Sequence, residues 1–300
     1  MITRAAEWRN VDAYPRKGRN ARGPVILALL LAAVWSAAYL RLHLSDLLPS
    51  APGVRTASKF FARALAPALT YESPVPATTK PLLQVALRAA GMTVMIATAA
   101  MSLAVVLGVA LAFLASSAWW IGDLSGAQTP SIRSVRRGMV PAAYAGIRLM
   151  IALMRSMHEL LWAVLFLAAF GLTQTAAVLA IAIPFGGTLA KVFSEMIDEA
   201  PRDAAGALRA VGASPLQVFV FGLVPLALPD MSAYAFYRFE CALRSSAVLG
   251  FFGFPTLGYY VAASFENLQY GEVWTYLYTL VGLVLAVEMW SGAIRRRMVA

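Results

Sequence analysis

This chain is poor in charge. Of its 300 residues only 13% are Asp, Glu, Lys or Arg, while 60% are hydrophobic. Soluble domains carry roughly 25% charged residues, so this is the composition of a membrane protein. It has one cysteine, Cys241, which excludes an intramolecular disulfide and leaves no redox-compartment signal. With two histidines it lacks a zinc-site pattern; Arg155, His158 and Glu159 offer too few ligands, and His43 is far off in sequence. No G-x-x-x-x-G-K-[ST] phosphate loop occurs, so a nucleotide that drives this protein is bound by another chain. No nucleophile–base pair stands out, and no internal repeat is visible.

Acidic residues are the scarcer sign: 15, against 25 Lys and Arg, for a net charge of +10. The placement of the basic residues argues against nucleic acid. Arg4, Arg9, Arg16, Lys17, Arg19 and Arg22 precede the first apolar run, Arg133, Arg136 and Arg137 lie in a polar break, and Arg295, Arg296 and Arg297 close the chain. Clusters that flank apolar runs follow the positive-inside rule.

A span takes about 20 apolar residues. The candidates are 24–40, 91–116, 147–170, 175–193, 231–252 and 273–291. The expected fold is therefore an all-α integral membrane protein of about six transmembrane helices. A cytoplasmic N-terminus puts all three basic clusters, and the C-terminus, on one side. The first run reads as a retained span, not a cleaved leader. Segment 1–23 is then a basic cytoplasmic tail, 24–80 a first span with an outer interfacial helix, 81–295 the core, and 296–300 a cytoplasmic tail. In "VRTASKFFARAL", Phe60, Phe61 and Leu65 share one helical face, with Arg55, Lys59 and Arg63 around the other, a pattern suited to a lipid surface. Segment 117–138 reads as an inner loop. Trp119, Trp120, Tyr259, Tyr260, Tyr270 and Trp274 fall at span ends, as an aromatic belt does. Pro184, Gly186 and Gly187 favour a kink or close packing in the fourth span.

The stretch "DEAPRDAAGALRAVGASPLQVFVFGLVPLALPD" runs from Asp198 to Asp230. Its first part, 198–215, reads as a short helix and a turn at Gly212, leading into a second helix capped by Ser214 with Pro215 at its first position. Three readings compete: a DNA-binding helix–turn–helix, a plain amphipathic connector, and a docking helix for a cytoplasmic partner. Closely flanking spans and few base-reading side chains disfavour the first.

Three stretches resemble the permease subunits of ATP-binding-cassette importers. Their inner loop carries E-A-A, three residues, G, nine residues, then I-x-L-P. Here Gly212 takes the Gly position and Gly222-Leu223-Val224-Pro225 the last four, while the Glu position falls on Gly206. "RSMHELLWAVLFLAAFG" (155–171) is similar to the R-S-x-P-E-L-x-W-A-L-x-F segment of phosphonate-importer permeases, with His158 in place of Pro. "YRFECALRSSAVLGFFG" (237–253) is similar to their Y-R-F-E-x-N-x-R segment, with Ala242 in place of Asn, and "FGFPTLGYY" departs from the Gly-rich stretch next to it in that family. The resemblance spans roughly residues 80–295. It implies a dimer of permease chains, identical or homologous, fed by a periplasmic or lipid-anchored binding protein for a phosphonate or related oxyanion. ATP and Mg would be bound by separate ATPase subunits, with no cofactor in this chain and no catalysis by it. It places the ATPase contact at Arg202, Asp203, Ala207, Leu208, Gly212, Ala213, Ser214 and Pro215.

Charges inside a span cost about 2.5–3.5 kcal/mol each on insertion scales, so they should face protein or water. The candidates for the passage or its gate are Arg155, Glu159, Arg238, Glu240, Arg244 and Ser245. Spacing of i,i+4 pairs Glu240 with Arg244 and Arg155 with Glu159, leaving Arg238 to line the passage or meet Glu159. Two roles stay open: positive potential on an anion's route, or ties between spans. Glu288, in the last span, has no partner evident in the sequence. Another solute (an amino acid or betaine), or an ion-coupled carrier acting alone, are the rival functions; the latter often shows paired repeats.

Overall fold

The computed structural model describes residues 22–42, 48–76, 78–117 and 130–299. The N-terminal basic cluster before Arg22, His43, Trp119 and Trp120 lie outside the described residues. The chain divides into two units, the first up to Ser58 and the second from Lys59.

In the first unit α1 (Arg22–Tyr39) is an apolar helix of 18 residues. That is about 27 Å at 1.5 Å per residue, short of the length the other spans reach. Helix α2 (Ala51–Ala62) begins where the Ser50 hydroxyl accepts the Gly53 N–H at 3.3 Å.

Among the described residues of the second unit, four helices are long and apolar enough to cross a membrane: α3 (Leu82–Ala115), α6 (Gln174–Glu199), the run Val218–Phe252, and α10 (Tyr270–Val299). The run opens with a π-helical segment, Val218–Leu223, continues as α8 (Val224–Val248) and closes in a 3-10 turn, Leu249–Phe252. Two short helices, α7 (Asp203–Ala210) and α9 (Leu257–Glu266), fill the connections.

The expected third span, 147–170, is not one helix. Helix α4 (Pro130–Ser156) and α5 (Glu159–Phe170) meet at 91° across Met157 and His158. His158 is extended, and its Nδ1 accepts the Leu160 N–H at 3.3 Å, so it caps α5. A cap side chain that takes a helix's first free amide starts a new helix there and does not continue the old one. Of the expected inner loop 117–138, residues 118–129 lie outside the described residues, and 130–138 are helical because α4 begins at Pro130.

Small residues build the core. Helices α3 and α6 pack through Ala97, Ala100, Ala104, Gly108, Ala180, Gly186 and Ala190, all buried. A Cβ on Gly108 would stand 2.6 Å from Leu189 Cβ, and one on Gly187 2.7 Å from Met154 Cβ. In lipid, apolar side chains gain little by leaving the acyl chains for one another, so close backbone contact supplies the attraction between helices.

Segment 59–80 is fastened to the start of α10. Trp274 Nε1 donates to Phe60 O at 2.7 Å, and Tyr278 Oη to Ala64 O at 2.7 Å. Glu272 Oε1 accepts the Glu72 N–H at 2.8 Å, and Glu72 Oε2 accepts the Gly271 N–H at 3.1 Å. Tyr71 donates to Lys80 O at 3.1 Å; burial first, then the charge of Glu272 and the neighbouring Tyr260, pushes its hydroxyl pKa upward. The aromatic residues Tyr270 and Trp274 thus work as packing partners of Phe60, with ring centroids 5.7 and 5.0 Å away.

Candidate functional site

Two clusters matter, one at the end of α6 and one at the α4–α5 bend. At the first, α7 comes directly after α6, and Gly212 has φ +85°, the left-handed region that glycine enters without a Cβ penalty. Ser214 Oγ accepts the Gln217 N–H at 3.3 Å, and Gln217 Oε1 accepts the Ser214 N–H at 2.8 Å. This reciprocal pair is a capping box. Helix α7 folds back onto the π-helical segment: a Cβ on Gly222 would stand 3.1 Å from Leu208 Cδ1 and 3.5 Å from Ala205 Cα.

Of the residues expected to meet an ATPase, Arg202, Asp203, Ala207, Gly212 and Ser214 are exposed or half-exposed, while Leu208 and Ala213 are packed against the chain itself. Two apolar residues that sequence reasoning passed over, Val211 and Phe221, are 81% and 72% exposed here. The signal for Val211 was present, a hydrophobic side chain next to a turn glycine in a loop otherwise polar enough for water; Phe221 belongs to the apolar run Val218–Phe252, where an exposed side chain meets lipid as readily as a partner. Behind the loop Asp198 accepts Ser116 Oγ at 2.6 Å and Ser117 N–H at 3.1 Å, with Arg148 Nη2 3.9 Å away. Arg148 also donates to Ala115 O at 3.0 Å, so α3, α4 and α6 are tied at this end.

At the bend, Arg155 to Glu159, Pro184, Phe185, Thr188 and Arg238 line a cavity of about 330 Å³. The Arg238 guanidinium lies 4.3 Å from the centroid of the Phe185 ring, and its Nε is buried without a hydrogen-bond partner. Glu159 accepts Ser245 Oγ at 2.7 Å, and His158 Nε2 is 3.5 Å from its other oxygen. Because α4 stops at Ser156, Arg155 and Glu159 are no longer a helical i,i+4 pair, and no ion pair joins them among the described residues. The expected Glu240–Arg244 pair does not form either. Glu240, 8% exposed, has Arg295 Nη2 3.1 Å from its Oε1, as an ion pair off the hydrogen-bonding direction. Arg244 is exposed, with Nη2 3.9 Å from Cys241 Sγ. Arg155 and Arg238 therefore face the cavity with no acidic partner among the described residues. Glu288 is exposed on α10.

A second cavity, about 470 Å³, is lined by Arg148, Ile151, Ala152, Arg155, Ser156 and Lys191. It shares Arg155 and Ser156 with the first and lies toward the α7 end of α6. A third space of about 600 Å³, between α3, α8 and α10, is lined by residues such as Val94, Met101, Phe239 and Trp290 and by no ionisable group. Charge separates it from the other two. Among the described residues no group of three or more His, Cys, Asp or Glu could hold a metal.

Long apolar helices, a broken span with cations at the break, and a capped helix–turn–helix between two spans define a membrane transport subunit. The backbone matches an inward-facing methionine transporter of the ATP-binding-cassette type with TM-score 0.59, at 19% identity, over 74% of this chain and 99% of that one. It also matches an amino acid transporter of the same type, with TM-score 0.54, at 18% identity, over 71% of this chain and 94% of that one. At such identities the likeness concerns the fold. Residues 86–299 match the family of binding-protein-dependent transport system inner membrane components, and the chain belongs to that family. It is accordingly a multi-pass inner-membrane protein and a transport component, not an enzyme. Two curated relatives are a phosphite transport system permease protein of Stutzerimonas stutzeri and a phosphate-import permease protein of Mycolicibacterium smegmatis. The first is 34% identical over 159 residues, 52% of this chain and 57% of the relative; the second is 31% identical over 159 residues, 53% and 30%. The match thus spans less than two thirds of either relative.

Proposed function

We propose that this chain is the permease of an ATP-driven importer and passes a tetrahedral phosphorus oxyanion, phosphite or a phosphonate, across the inner membrane. A binding protein delivers the anion, two permease chains enclose its route, and separate subunits bind ATP with Mg. The observation that carries the substrate class is the cavity at the α4–α5 bend, where Arg155 and Arg238 outnumber the one carboxylate in the wall, Glu159, and neither is ion-paired among the described residues. Two cations on the wall of a passage lower the barrier to an anion and raise it to a cation. Relatives whose names specify phosphite and phosphate transport agree in class. Glu159 subtracts one charge from that field and leaves it net positive, two guanidinium groups against one carboxylate, and Ser245 Oγ fixes its position. Glu240 and Arg244 shape the route indirectly, the first by fixing α8 to α10. An amino acid or betaine, the rival cargo, carries a cationic nitrogen that two arginines in this wall disfavour, against the single carboxylate of Glu159.

Segment 198–215 faces the cytoplasm, as do both termini, and its exposed Arg202, Asp203, Ala207, Gly212 and Ser214, with Pro215 and Val211, dock on the ATPase. Leu208 and Ala213 stiffen the loop from behind. ATP closure pushes this loop, and the capping box and the α7 contact on Gly222 pass the push to α8.

ATPase activity of the reconstituted permease–ATPase–binding-protein complex tests both halves. Binding protein loaded with phosphite or a phosphonate stimulates hydrolysis. Gly212→Asp removes that stimulation, because a side chain at φ +85° strains the turn by about 1 kcal/mol and adds charge to the docking face. Arg238→Gln keeps the basal activity and slows phosphite uptake by about tenfold or more, the scale of one charge-assisted contact, roughly 1.5–3 kcal/mol. Equal uptake of phosphite and betaine by the wild type, or uptake by this chain without an ATPase, rejects the reading.

A further inference from the structure

The two basic cavities differ in how their cations are matched, and that difference has a direction. In the cavity at the bend, Arg155 and Arg238 stand without acidic partners among the described residues. In the neighbouring cavity Lys191 Nζ lies 3.0 Å from Glu195 Oε1, and Arg148 Nη2 lies 3.9 Å from Asp198 Oδ2. The second cavity is at the α7 end, where Arg148 also holds Ala115 O. Arg155 and Ser156 belong to both walls, so the two spaces adjoin along α4. On α6 their lining residues come in order, Pro184, Phe185 and Thr188, then Lys191 about one turn later.

Building on the oxyanion reading, we infer that the Arg148–Arg155–Lys191 cavity is a second anion station, a weak one, through which the phosphorus oxyanion leaves toward the cytoplasm. A route conducts when each site binds well enough to be entered and poorly enough to be left. The first station attracts with unmatched charge. In the second, Glu195 and Asp198 offset Lys191 and Arg148. Arg155 reaches both spaces and hands the anion over without leaving it unpaired. Glu195 is the setting of the weak station: it is half-exposed on α6, one turn from Lys191, and Lys191 is its ion-pair partner.

The test uses the complete complex in proteoliposomes that take up phosphite from loaded binding protein, with ATP and a series of phosphite concentrations in the lumen. An anion resting in the second station blocks the next arrival, so lumenal phosphite slows uptake. Glu195→Gln frees Lys191 and lowers the lumenal concentration that halves uptake by roughly threefold to fivefold, the scale of one part-exposed ion pair. Lys191→Gln raises it by a similar factor, and Glu195→Gln with Lys191→Gln returns it near the wild-type value. A structural role for the pair shifts both single variants the same way. Equal sensitivity in all four proteins, or a wild type insensitive to lumenal phosphite, overturns the second station while leaving the importer in place. A wild type that takes up no phosphite overturns the oxyanion reading and the station with it.

Discussion

Arg295→Gln lowers the stability of the permease by about 3 kcal/mol, and adding Glu240→Gln recovers most of the loss. The asymmetry comes from burial. Glu240 is 8% exposed in the middle of α8, and Arg295 stands 3.1 Å from it. Breaking such a pair from one side costs about 3–5 kcal/mol, because an uncompensated charge remains where water cannot reach it. The Arg295 side chain is 30% exposed, which puts the cost at the lower end. Glu240→Gln alone is milder, since Arg295 near the end of α10 can extend its head toward the membrane surface. Thermal unfolding of the purified complex reads all three. A double variant as unstable as Arg295→Gln would show that the arginine acts through packing and not through its charge.

That pair also marks the limit of what local spacing reveals. Glu240 and Arg244 satisfy the i,i+4 rule, and a rule about one helix has no access to Arg295, which only packing brings near. Arg295 had a sufficient explanation of its own, as part of a basic cluster flanking a span. Arg155 and Glu159 failed for a related reason: the rule presumes a continuous helix, and His158 ends it. A histidine that accepts a backbone N–H is a cap, but in an apolar run nothing distinguishes it from a helix interior residue. By contrast four of the six expected spans were legible from hydropathy alone, because lipid imposes length and composition on any helix that crosses it. The turn at Gly212 and the cap at Ser214 were legible too, since both obey local backbone chemistry. Arg238 lay between: its charge in an apolar run announced a role, while its seat over Phe185 needed the fold.

Gly250→Ala and Gly258→Ala each prevent the permease from accumulating as a folded membrane protein. The chain crosses itself between the 3-10 turn and α9 with no side chain between. A Cβ on Gly250 collides with Tyr259 N and stands 2.6 Å from both Gly258 C and Thr256 Oγ1, and a Cβ on Gly258 collides with Ala247 O. Overfilling a core costs about 1–3 kcal/mol when side chains can adjust; here the opposing atoms are backbone, so the cost exceeds about 3 kcal/mol. The crossing also positions the site. It sets Thr256 Oγ1 to donate to Ala247 O at 3.1 Å and Leu257 N–H to donate to Thr93 Oγ1 at 3.2 Å, while Ser246 Oγ donates to Thr93 O at 2.9 Å. These bonds hold the end of α8 against α3, one residue from the Ser245 that engages Glu159. Gly91→Ala is the matched control. It lies on α3 with nothing within 4 Å of the added Cβ, and relieving a helical glycine stabilises by about 0.5–1 kcal/mol. Membrane level and a single size-exclusion peak for the complex are the readouts. A Gly250→Ala protein that accumulates normally and still takes up phosphite would mean that the two backbones do not cross this closely, and that Ser245 owes its place beside Glu159 to α8 alone.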